Sequence, residues 1–284
     1  MEGGSLSDWL SRLSIVSIGV GTFVVMLVAA AAGDFIRKMQ LRRSAKKERE
    51  TEPSVAQEGY LLGSVLGLLG LLLAFTFGMA LNRYEQRREL VMQEANAIGT
   101  AYLRSQLLDE PYRGRLSRIL VEYTENRIAL ATVGGTDRLT RNDRLLTDMW
   151  AAVRASRESA LSHGLTTTLL NTFNEVIDLD GERKVAWELR IPGEVLAMLT
   201  IYLAVIAAVV GHQVDGPRGR RAALLLFAMV AFSIAVIADI NRPMSGHARE
   251  SQKPMEMLLA SLRAQPPAVF DQFNPQSAPT ARRQ

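Results

Sequence analysis

YLLGSVLGLLGLLLAFTFGMAL, Tyr60 to Leu81, carries no charged residue and is closely followed by Arg83, Glu85, Arg87, Arg88 and Glu89. A helix rises about 1.5 Å per residue, so roughly 20 apolar residues cross the ~30 Å hydrocarbon core of a bilayer. This run is therefore a membrane span with a sharp polar end. Along it, Gly63, Gly67, Gly70, Ala74 and Gly78 recur at intervals of three and four, which leaves one helix face almost without side-chain bulk. Such a face suits close packing of helix on helix. It equally suits a pore lining in which Phe75 or Phe77 forms an apolar constriction that dewets when narrow.

Working outward, three more apolar runs, uncharged apart from Glu194, give an all-α, polytopic bundle of about four spans: 13–32, 60–81, 193–211 and 222–238. The third is the shortest. Its lengthening at the start takes in Gly193 and Glu194, just after Pro192. Between the spans lie a basic loop at 33–59, a helical extramembrane domain at 82–192 and a short basic loop at 212–221. The chain closes at 239–284 with a polar motif, an amphipathic helix and a disordered tail rich in Pro, Gln and Ala, ending near Arg282 and Arg283. The first run, with Ala29 to Ala32 and Gly33 at its end, offers small residues to a signal peptidase. Its positive charges, Arg37, Lys38, Arg42, Arg43, Lys46 and Lys47, come after the run, which favours a retained span.

Composition agrees with this division between lipid and water. Of 284 residues, 48% are hydrophobic and 22% charged, and the two kinds are segregated along the chain. The net charge of +4 sits mainly beside apolar runs, where anionic lipid and the insertion machinery act on it, so nucleic acid is not the expected partner. Without cysteine there can be no disulfide, thiol catalysis or cysteine-linked lipid anchor. Orientation is a contest. The cluster from Arg37 to Arg49, with Arg218, Arg220 and Arg221, draws its loops to the cytoplasm and the large domain to the periplasm. Arg83, Arg87, Arg88, Arg183, Lys184, Arg190, Arg242 and Arg249 pull the other way. Short loops weigh most, which favours the periplasm by a small margin.

Within 82–192 the periodicity is helical throughout. The first helix continues from the second span through Leu90, Ala97, Ile98, Ala101 and Leu108. The second places Leu116, Leu120, Tyr123, Arg127 and Leu130 on one stripe and ends at Gly134 and Gly135. A third, capped by Thr140 or Asn142, turns Leu146, Met149, Trp150 and Val153 inward. A fourth begins near Thr166. Farther on, Met255, Leu258, Leu259 and Leu262 form a stripe suited to a membrane surface or to closing a bundle.

No catalytic constellation, metal site or cofactor motif stands out. His163, His212 and His247 are far apart and lack ligand-type spacing. Asp178, Asp180 and Glu182 around Gly181 suggest part of a calcium loop, but Leu189 stands where the twelfth-position Glu belongs, so a solvated acidic turn is the favoured reading. At the end of the second span, Asn82, Arg83, Tyr84 and Arg87 form either an ordinary interfacial anchor or an electropositive vestibule for anions. At the end of the fourth, Asp239, Asn241, Arg242, Pro243 and Gly246 make a second motif, with Arg242 or Arg83 as candidate partners for Asp239.

The run LLAFTFGMALNRYEQRRELVMQEANAIGTAYLRSQLL, Leu72 to Leu108, resembles a family of bacterial bestrophin-like membrane proteins with four spans. ADINRPMSG, Ala238 to Gly246, looks like that family's aspartate-rich ending, with Asn241 in place of an expected Asp. The wider similarity is to the bestrophins, pentameric anion channels with a hydrophobic neck and an Arg-aromatic pair in the second span. The resemblance implies that Phe75 matches a neck aromatic and Arg83–Tyr84 the boundary pair. It also implies a homo-oligomer in the bacterial inner membrane, a helical region on the cytoplasmic side, and small anions as the conducted species. The paired Trp and the acidic calcium clasp of bestrophins are not found. A membrane-tethered sensor or scaffold, whose helical domain binds a partner and shifts the attached spans, is the competing expectation.

Overall fold

The computed structural model describes residues 14–44, 55–189, 191–243, 246 and 248–273. Leu13, Lys46, Lys47, Arg49, Arg190, His247, Arg282 and Arg283 lie outside them. The protein is all-α, and no strand occurs among the described residues. Among the described residues ten α-helices follow one another: α1 Ile15–Ser44, α2 Val55–Ser105, α3 Tyr112–Val133, α4 Thr136–Ala155, α5 Arg157–Ser162, α6 Thr166–Glu188, α7 Gly193–Gln213, α8 Gly216–Ile240, α9 Lys253–Ala264 and α10 Pro267–Phe270. Among the described residues four stretches, carried by α1, α2, α7 and α8, are long and apolar enough to cross a membrane.

The chain forms two compact units, Met1–Tyr84 with Arg190–Arg249, and Glu85–Leu189 with Glu250–Gln284. The first unit is built on α1, α7, α8 and the apolar part of α2. Its core joins Met26, Leu69, Leu203, Ile206, Phe227 and Val230. α1 and α7 touch backbone to backbone, because a methyl at Gly33 would fall on the carbonyl oxygen of Ala208 and a methyl at Gly211 on that of Ala30. The small residues that resemble a processing signal thus belong to a helix crossing. α1 does not end at Ala32. It continues to Ser44, where Asp34 accepts from Arg37 and Lys38 at 2.9 and 2.6 Å across successive turns, so the expected basic loop begins as helix.

The second unit packs α3 to α6 and α9 around the polar half of α2. Ile98, Leu116, Leu120, Tyr123, Met149, Phe173, Val176 and Met255 form its core. Two expectations need correction here. α4 starts at Thr136, directly after Gly134 and Gly135, whose positive φ angles of 70° and 111° make the turn, so neither Thr140 nor Asn142 caps it. Trp150 is exposed whereas Met149 and Val153 are buried, since three-residue spacing carries the core stripe past it. α5 has too short an apolar pattern to be read in advance. The Met255–Leu262 stripe closes this unit: Met255 and Leu262 are buried and Leu258 packs against the core.

Candidate functional site

The apolar half of α2 divides cleanly into two faces. Leu62, Val65, Leu66, Leu69, Leu72 and Leu73 turn into the core of the first unit. The opposite face carries Gly63, Gly67, Gly70, Ala74 and Gly78, all exposed in the single chain. A Cβ added at Gly63, Gly67, Gly70 or Gly78 would meet nothing within 4 Å. Phe75 and Phe77 stand on this open side, 64% and 41% exposed, while Thr76 between them is buried and donates to the carbonyl of Leu72 at 2.8 Å. The contrast with Gly33 and Gly211 is instructive. Those glycines are consumed by helix contact inside the chain, whereas the more regular series on α2 is left free.

Of the boundary residues, Asn82 is exposed on the open side, while Arg83 and Tyr84 are half-buried. In the second unit, Arg87 is buried and its Nε donates to the Glu250 carboxylate. The expectation of Arg87 as a vestibule cation is thereby corrected: its charge is engaged by a carboxylate supplied from far along the chain.

The end of α8 is a folded turn. Asn241, Arg242, Pro243 and Gly246 are buried. Asn241 Oδ1 accepts the backbone N–H of Ile191 at 2.9 Å, which ties the start of α7 to the end of α8. Asp239 accepts from the N–H of Ala248 at 3.2 Å, and the Gly246 N–H donates to the Arg242 carbonyl at 3.0 Å. A Cβ at Gly246 would lie 2.5 Å from the Asp239 carbonyl oxygen, so only glycine fits. The amide of Asn241 does here what a carboxylate could also do, accept one backbone N–H.

A buried polar cluster in the second unit escaped the sequence reading. Glu94 on α2 and Arg127 on α3 are each 0% exposed, and Arg127 Nε lies 2.8 Å from Glu94 Oε1. Arg183 donates to the other Glu94 oxygen, Arg127 Nη1 lies 2.9 Å from Asp180 Oδ1, and Asn142 donates to Asp180 at 2.8 Å. The Trp187 ring stacks near both guanidinium groups, 5.3 Å from Arg127 and 5.5 Å from Arg183. Asp180 is therefore neither a calcium ligand nor a solvated residue, although Asp178 and Glu182 are exposed. A charge on a core stripe was the available signal: Glu94 shares a face with Ala97, Ile98 and Ala101, and Arg127 with Tyr123 and Leu130.

The Tyr123 hydroxyl donates to Glu94 at 2.6 Å. Burial, then the adjacent Glu94 charge, push it well above the ordinary phenol value. The unfolded chain releases that proton near pH 10 while the folded chain holds it, so stability is kept below about pH 10 and falls above it. Tyr123→Phe should flatten the alkaline part of the stability profile, measured as apparent melting temperature against pH. Equal alkaline loss in the two proteins would contradict this assignment.

Residues 16–255 match the family model of the bestrophin-like domain. Two crystal structures of single-residue variants of a bacterial bestrophin homologue from Klebsiella pneumoniae share the fold. One has a TM-score of 0.63 at 15% identity, covering 92% of this chain and 98% of that one. The other has 0.61 at 14%, covering 89% and 97%. A crystal structure described only as a membrane protein variant has 0.56 at 16%, covering 89% and 97%. No curated protein matches. With a four-span helical layout and a family match over most of its length, this chain belongs to the bestrophin-like family.

Proposed function

We propose that the chain is one subunit of a homo-oligomeric channel in the bacterial inner membrane, a pentamer on the family resemblance, that passes small anions along the open face of α2. The observation that carries this reading is the unspent small-residue face: four glycines whose added Cβ would touch nothing, flanked by exposed Phe75 and Phe77. Small residues let helices approach closely in lipid, where no hydrophobic drive favours association, so the face suits contact with further copies around an axis. Phe75 and Phe77 then narrow the path with apolar rings, and Asn82 supplies a polar group where the uncharged run ends.

Chloride efflux from liposomes containing the purified chain tests it, with protein-free vesicles as the control. Wild type should conduct, and Phe75→Ala should change the rate about tenfold, equivalent to about 1.4 kcal/mol in the barrier. Absence of flux from folded, inserted protein would overturn the reading, as would flux indifferent to replacement of both Phe75 and Phe77. The result would then favour a membrane-tethered sensor or scaffold. That second reading draws on the unbroken run of α2 from Val55 to Ser105, through which a change in domain packing could act on a span.

A further inference from the structure

In the first unit a cleft of about 210 Å³ opens between α1, α7 and α8. Ala30, Ala31, Gly211 and Ala223 are too small to fill it, and Leu27 and Phe227 line its inner part. Asp34 and Arg220 mark its mouth, each seven residues from the inner residue on its own helix, which makes the cleft about 10 Å deep. The cleft exists because Gly33 and Gly211 draw α1 and α7 together while α8 meets them with alanine at this level.

The mouth is strongly basic. Asp34 is engaged by Arg37 and Lys38, and Asp215 by Arg37 at 3.2 Å and by its own cap on the Gly216 N–H at 2.9 Å. Arg220 stands 3.7 Å from Asp34 with a side chain 59% exposed, and Arg218 and Arg221 beside it are exposed as well. An apolar slot one acyl segment deep, under an excess of guanidinium groups, is complementary to one class of molecule.

We propose that this cleft binds an anionic phospholipid, one acyl chain lying between α1, α7 and α8 and the phosphate meeting Arg220 with help from Arg218 and Arg221. An interfacial arginine attracts anionic headgroups, and the walls match a hydrocarbon chain that a free phosphate would leave empty. The site is independent of the pore assignment, since it lies on helices other than α2.

The test uses the full chain in phosphatidylcholine vesicles with a trace of spin-labelled phosphatidylglycerol or spin-labelled phosphatidylcholine. Electron paramagnetic resonance reads the motionally restricted fraction of each. Wild type should prefer phosphatidylglycerol, and Arg220→Gln should reduce that preference about fivefold, the effect of one interfacial arginine. Ala223→Leu should lower the restricted fraction of both lipids by occupying the slot. Removal of Arg42 and Arg43, exposed on α1 away from the cleft, should leave the preference unchanged. Equal restriction of the two lipids in wild type would overturn the proposal, as would preference that survives Arg220→Gln or falls equally with the Arg42 and Arg43 variants.

Discussion

Glu94→Ala is expected to lower the stability of the protein by about 3–5 kcal/mol, the usual consequence of removing one partner from a fully buried ion pair. The carboxylate meets Arg127 and Arg183 at once and accepts the Tyr123 hydroxyl. Its loss leaves two guanidinium groups out of water, with Asp180 the remaining acid beside Arg127. Glu94→Gln keeps the shape and one acceptor, so it should cost less than Glu94→Ala. The pair Glu94→Leu with Arg127→Leu should recover part of the loss, because both charges leave the interior together. Apparent melting temperature and denaturant midpoint of the detergent-solubilised chain would measure this. A Glu94→Ala protein as stable as wild type would mean that water reaches the cluster and that burial in the single chain misstates its environment.

This cluster also shows where sequence reading runs out. Uncharged runs announce spans because lipid tolerates little else, and the small-residue series on α2 is visible because three- and four-residue spacing is one-dimensional information. Which of two glycine sets is consumed inside the chain is three-dimensional. Gly33 sits in an unremarkable alanine-rich run, yet it is one of the two closest approaches, while the regular series at Gly63, Gly67, Gly70 and Gly78 is free. Likewise Arg87 and Arg83 look alike beside a span, but Arg87 is spoken for by Glu250, far along the sequence. Isolated charges on apolar stripes were legible as anomalies; their partners were not, because long-range pairing leaves no local pattern. Asn241 was legible as a departure, and its hydrogen bond to Ile191 gives that departure a structural role.

Alanine at either of two kinds of glycine should therefore give opposite outcomes. Gly211→Ala and Gly33→Ala are expected to destabilise the protein by about 3 kcal/mol, at the upper end for overpacking, because the new methyl meets backbone and not a movable side chain. At Gly211 even the Ala30 Cα lies 2.6 Å from the added Cβ, and at Gly33 the Ala208 carbonyl carbon lies 2.8 Å away, so α1 and α7 must separate along their crossing. Gly67→Ala and Gly70→Ala should leave the stability of the subunit within about 0.5 kcal/mol, as substitutions away from packed features do. If α2 meets further copies through its open face, these same two variants should still shift the oligomer distribution in size-exclusion chromatography and change chloride flux. Melting separates the first pair from the second, and assembly tests the second alone. A Gly211→Ala protein that melts like wild type would refute the close α1–α7 crossing. Gly67→Ala and Gly70→Ala proteins unchanged in stability, assembly and flux would leave the small face of α2 in contact with lipid only, and the pore would have to be sought on another helix.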